Sequence, residues 1–223
     1  MRRYVTKWRA GWHDTRRPSR ILEFWSFRIF LIMITAFILQ NVSSQFEMFF
    51  ILYSPTVLTA PWTLVSAIFL HEGFAHIFYN MFALLMFGLV LEAIVGSRLF
   101  LVIFLATGIV GNVAGVFAYP LAYSLGASGA IMGIIGALAV IRPRLIVWMG
   151  APMPLIVAAA IWAGLDLIGF LSPAQTGIGN AAHLAGLAAG ILIGLILRPS
   201  FKEVHLIKRR VDHEFLSDAD VYG

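Results

Sequence analysis

The apolar runs of this chain are too long and too many to be the core of a water-soluble fold. Phe24 to Val42, His71 to Val95 and Leu99 to Ala118 each approach or exceed the roughly 20 residues that a helix needs to cross a hydrocarbon layer of about 30 Å. Three more runs follow, from Leu125 to Ile141, Leu145 to Phe170 and Asn180 to Leu197. Composition closes the alternative. The chain is 60% hydrophobic and only 12% charged, against about 25% charged in ordinary soluble domains. The expected architecture is all-α and polytopic, with six transmembrane helices over residues 24–199, a basic arm over 1–23 and a tail over 200–223.

The basic residues set the orientation. With the N-terminus inside, six crossings return the C-terminus inside. Arg98, Arg142, Arg144 and Arg198 then fall on the cytoplasmic side, together with the basic arm and Lys208-Arg209-Arg210. The other connections, near 43–70, 119–124 and 171–179, carry no Lys or Arg, as the positive-inside rule requires. Both termini are therefore expected in the cytoplasm. The formal net charge of +5 is explained by topology and by anionic lipid headgroups, with no nucleic-acid partner. Ser43 to Leu70, broken by Pro55 and Pro61, is expected to be a folded loop partly sunk in the membrane interface. With no cysteine, disulfides and thiol chemistry are excluded. No removable leader is expected, since the first apolar segment has no small-residue cleavage site after it.

Polar groups inside a bilayer are costly and are usually retained for function. Here they are His71, Glu72, His76, Asn80, Glu92, Asn112, Ser128, Asp166, Asn180 and His183. His71-Glu72 invites a zinc reading, but the next histidine is His76, five residues on rather than four. On a continuous helix that spacing leaves the side chains about 140° apart, so no metal site is expected. His76 and Asn80 are four apart and share a face. Both can donate hydrogen bonds from side-chain nitrogen, which suits an anion formed transiently in a reaction.

The glycines suggest how distant polar groups meet. Gly129 and Gly133 are spaced G-x-x-x-G, and Gly186, Gly190 and Gly194 repeat that spacing; small residues so spaced let membrane helices approach closely. His183 lies on the glycine face of its helix and Ser128 at the mouth of the other. Packed together, they bring a hydroxyl within reach of an imidazole base. Ser128 near a helix start also has free backbone N–H groups around it. No acidic residue is placed to orient His183, so a Ser-His dyad is expected rather than a triad. Asp166 reads as a snorkelling residue at an outer helix end. Each stretch alone is weak, and it is their common depth under the six-span topology that points to one site.

The conjunction of motifs resembles the rhomboid intramembrane serine proteases over roughly Pro61 to Leu197. The residues that carry it are Pro61-Trp62 leading into His71; His76 with Asn80; Leu91-Glu92 and Gly96; Gly126-Ala127-Ser128-Gly129; and Ala182-His183-Leu184-Ala185-Gly186. The resemblance implies a six-helix fold with a water-accessible cavity toward the outer face. It implies Ser128 as nucleophile, His183 as general base, and an oxyanion hole of His76, Asn80 and the Ser128 N–H. His71 and Asn180 would be supporting positions, and Glu92 would tie the inner end of the second span. Met132 stands where many members carry an aromatic residue beside the catalytic histidine; a methionine can pack there too. The implied reaction hydrolyses peptide bonds in or near transmembrane segments of protein substrates, without a cofactor. Two other classes would use similar residues: an inactive relative that binds transmembrane helices, against which the presence of both Ser128 and His183 argues, and a small-solute transporter, for which paired broken helices in repeated halves are expected and not found.

Overall fold

A computed structural model describes residues 23–172 and 179–198. The basic arm, most of the 171–179 connection and the C-terminal tail lie outside the described residues. Among the described residues, four helices are long and apolar enough to cross a membrane: α1 (Trp25–Val42), α4 (Phe74–Val95), α5 (Ser97–Ala118) and α8 (Asn180–Arg198). Two further apolar helices, α6 (Ser128–Ile141) and α7 (Leu155–Leu171), are shorter than the four candidate spans and pack among them. In the first connection lie α2 (Ser44–Phe50) and α3 (Thr63–Ser66).

The fifth apolar run departs from expectation. The sequence predicts a span from about Leu145 interrupted by Pro152 and Pro154; residues 146–154 instead form a hairpin, with β3 (Ile146–Trp148) antiparallel to β4 (Pro152–Pro154), and the helix starts only at Leu155. Pro152 and Pro154 have no N–H to offer a helix. Gly150 takes φ +77° at the turn, a conformation open to glycine and strained for other residues. The second span also starts later than expected, at Phe74 after Gly73. His71 therefore precedes the helix. Inside α4, Leu84–Gly88 is a π-helical turn.

The first connection is folded, as its sequence suggested. Trp62 Nε1 donates to the Phe49 carbonyl (3.0 Å) and Ser66 Oγ to that of Phe50 (2.8 Å). Strand β1 (Leu52–Tyr53) pairs antiparallel with β2 (Tyr123–Ser124), just upstream of α6. Asn112 Nδ2, on α5, donates to the Leu64 carbonyl at 2.8 Å. The loop is thereby fastened to the helix pair that frames Ser128.

At the centre stands α6, in which every residue except Ser128 and Val140 is buried. A helix apolar on all sides belongs in the interior, and its small residues let neighbours close on it. A Cβ on Gly133 would collide with the Thr107 side chain of α5, and one on Gly186 or Gly190 with the carbonyl oxygens of Gly129 and Gly133. Helix α8 thus rests its glycines directly on the α6 backbone, in the pairing expected from the repeated spacing. At the far end, Glu92 is 1% exposed. It accepts from the Trp25 N–H (2.7 Å) and Ser26 N–H (2.8 Å), and from Ser26 Oγ. These are first-turn amides of α1, which lack intrahelical acceptors and favour a negative partner.

Candidate active site

Ser128 is the first residue of α6. Gly126, two residues before it, has φ +121°, and its N–H donates to the Ala67 carbonyl at 2.9 Å. That glycine turns the chain into the helix and makes room for His76: a Cβ there would stand 2.8 Å from His76 Cε1 and Nε2, and 3.9 Å from Ser128 Oγ. The His76 imidazole therefore lies over the Gly126 backbone, two residues before Ser128. Asn80, one turn along α4, is buried. Its Nδ2 donates to the His76 carbonyl at 2.9 Å, which leaves the second amide hydrogen available.

His183 sits in the first turn of α8, and its Nε2 is 2.7 Å from Ser128 Oγ. Both side chains are half-buried. A Cβ on Gly111 would meet the Ala182 carbonyl oxygen at 2.9 Å and one on Gly129 would meet it at 3.3 Å. The α8 backbone next to His183 is therefore seated in a notch between α5 and α6. Four residues after Ser128, Met132 is buried and lies on the same side of α6. The Ser128 N–H belongs to the first turn, where amides have no partner within the helix.

Two site features escaped the sequence reading. The first is Asp166. Expected as a snorkelling residue, it instead places Oδ1 2.9 Å from His183 Nδ1. The expectation that no acidic residue orients His183 does not hold. The separation of 17 residues, with a Pro- and Gly-containing connection between, concealed a contact that only antiparallel packing of α7 and α8 creates. A carboxylate within an apolar helix was itself the available signal.

The second is Gln40, near the end of α1. Its amide clamps the backbone of His71, with Nε2 donating to the His71 carbonyl (2.7 Å) and Oε1 accepting from the His71 N–H (3.0 Å). The His71 side chain is buried, and its ring meets that of His76 edge-on with centroids 5.0 Å apart. Because His71 precedes the helix, the angular argument that separated these two histidines fails. Among the described residues, though, no three metal-type side chains gather. Asn180 is buried against α7, where a Cβ on Gly169 would lie 2.7 Å from its Nδ2.

A hydroxyl in contact with an imidazole at the first turn of a helix, with the side-chain nitrogens of His76 and Asn80 on α4, is a set of groups that can form a nucleophile with a place for an oxyanion. The profile of the Rhomboid domain matches residues 59–200. The rhomboid protease GluP of Bacillus subtilis is 36% identical over 142 residues, covering 61% of this chain and 26% of GluP. Rhomboid-like protease 3 of Toxoplasma gondii is 34% identical over 134 residues, 59% of this chain and 50% of the relative. The Bacillus subtilis protein YdcA is 33% identical over 139 residues, 60% of this chain and 66% of YdcA. The chain thus spans between about a quarter and two thirds of the length of these relatives.

Proposed function

The chain belongs to the rhomboid family, and from that premise we propose that it is an intramembrane serine protease cleaving peptide bonds in or near the transmembrane segments of protein substrates. The observation that carries the proposal is the 2.7 Å contact between His183 Nε2 and Ser128 Oγ, at the start of a helix buried in the bundle. As Ser128 Oγ bonds to the scissile carbonyl carbon, its proton passes to His183 Nε2 and the carbonyl π pair becomes an oxyanion. His76, the free Asn80 amide hydrogen and the Ser128 N–H are the donors for that charge. Collapse of the tetrahedral adduct breaks the C–N bond, and His183 gives its proton to the departing amine. Water then attacks the acyl-enzyme with His183 again as base, releasing the acid and restoring the Ser128 hydroxyl. No step calls for a cofactor.

In this reading both termini are cytoplasmic and the Ser128 end of the bundle faces the outer side, in contact with membrane lipid. Water reaches the site from that face, since irregular backbone is tolerated at membrane depth only where protein or water satisfies it. The exposed apolar residues Phe74, Phe78 and Phe82, spaced by four along α4, suit contact with lipid or with a substrate helix. The test is labelling of the purified, detergent-solubilised protein with a fluorophosphonate, together with cleavage of a transmembrane substrate. Wild type should label and cleave, while Ser128→Ala and His183→Ala should do neither and remain folded. Substantial cleavage by Ser128→Ala would rule out the serine mechanism. Loss of activity in EDTA that zinc restores would point to a metal enzyme instead.

A further inference from the structure

Resting on that reading, we infer that Asp166 is a positioning residue for the general base, so that this chain works with an acid-oriented histidine rather than a bare Ser-His pair. Its Oδ1 lies 2.9 Å from His183 Nδ1, and His183 Nε2 lies 2.7 Å from Ser128 Oγ. The imidazole is thus held between the two oxygens, one at each ring nitrogen. A carboxylate accepts from Nδ1–H, which leaves Nε2 as the lone-pair nitrogen facing the hydroxyl, the tautomer a general base needs.

The packing of α7 against α8 makes the contact a built one. Asn180 stands on Gly169, where a Cβ would come within 2.7 Å of its Nδ2. Moving three residues back along α7 and three forward along α8 leads from that pair to Asp166 and His183. In antiparallel helices such steps keep facing residues in register, so one close approach at a glycine aligns the next pair. Both side chains are shielded from water, His183 being 18% and Asp166 13% exposed. Charge and hydrogen bonding therefore act there with less screening than at an open surface. When Nε2 takes the Ser128 proton, the imidazolium faces the Asp166 carboxylate across the Nδ1–H bond. No proton passes to Asp166: it receives the hydrogen bond throughout, and the proton on Nε2 leaves with the amine.

The experiment compares wild type, Asp166→Asn, Asp166→Ala and Ser128→Ala in detergent. It reads kcat and KM on a transmembrane substrate, the rate of fluorophosphonate labelling and the thermal unfolding midpoint. Hydrogen bonds to charged groups are of a size that corresponds to about 10- to 100-fold in rate. Asp166→Ala should lower kcat and labelling rate by that factor with KM and unfolding little changed, and Asp166→Asn should fall between it and wild type. Added formate should restore part of the Asp166→Ala rate in a saturable way, and should not act on Ser128→Ala. A purely structural role would move the unfolding midpoint and would not answer to formate, so that outcome overturns the inference. Wild-type kcat in Asp166→Ala overturns it too and returns the site to a dyad. If Ser128→Ala itself keeps turning over, the proposed function fails, whatever Asp166 does.

Discussion

The approach of α8 to α6 can be broken with one carbon atom. A Cβ added at Gly186 would lie 2.9 Å from the Gly129 carbonyl carbon and 3.3 Å from its Cα, and closer still to the carbonyl oxygen. Ordinary carbon contacts are about 3.5–4.0 Å, and the obstacle is the backbone of a buried helix rather than a side chain that can swing aside. In Gly186→Ala, α8 must therefore retreat by about 1 Å. His183 is three residues away on the same helix, so the 2.7 Å contact with Ser128 Oγ opens to about 3.7 Å, beyond hydrogen-bond reach. A misplacement of that size costs about 10²-fold in rate, while overpacking costs about 1–3 kcal/mol of stability. The readouts are fluorophosphonate labelling rate, substrate turnover and thermal unfolding in one detergent. Gly164→Ala is the control, because a Cβ there meets nothing within 4 Å; it should keep wild-type turnover. If Gly186→Ala labels at the wild-type rate, the glycine contact does not hold Ser128 and His183 together, and the reasoning from close approach fails.

Other expectations follow from the same geometry. Asn80→Ala should lower kcat by about 10²–10³-fold, the usual loss for one oxyanion donor, with KM little changed; a change in KM alone would assign Asn80 to substrate binding. Glu92→Gln should leave chemistry intact in the folded fraction but destabilise the bundle by about 1–3 kcal/mol, because buried first-turn amides of α1 lose a charged acceptor. Thermal unfolding in detergent checks this, and an unchanged midpoint would show that the Glu92 contacts with Trp25 and Ser26 add little.

Much of this protein was legible before its fold was known, because some patterns are local. A run of apolar residues of membrane-crossing length has few other places to go, and Arg98, Arg142, Arg144 and Arg198 mark ends of such runs whatever the packing. The spacing of Gly186, Gly190 and Gly194 marks one face of a helix by geometry alone, and that face does lie on α6. Ser128 at a glycine-rich entry to a helix and His183 on a glycine face could be paired on these grounds. Residues 146–154 were harder, since apolar side chains suit a helix and a hairpin alike; Pro152, Pro154 and Gly150 decided for the hairpin through the backbone.

Other contacts between distant segments carry no such local mark and belonged to the tertiary structure. Gln40 and His71 are 31 residues apart and meet only because α1 ends beside the chain that enters α4. Asp166 and His183 face each other only because Gly169 lets Asn180 close on α7 and sets the helix register. A sequence states which groups can donate or accept. Which acceptor a given imidazole finds depends on a registration of whole helices to within about 1 Å, and that arises from the packing of all of them together.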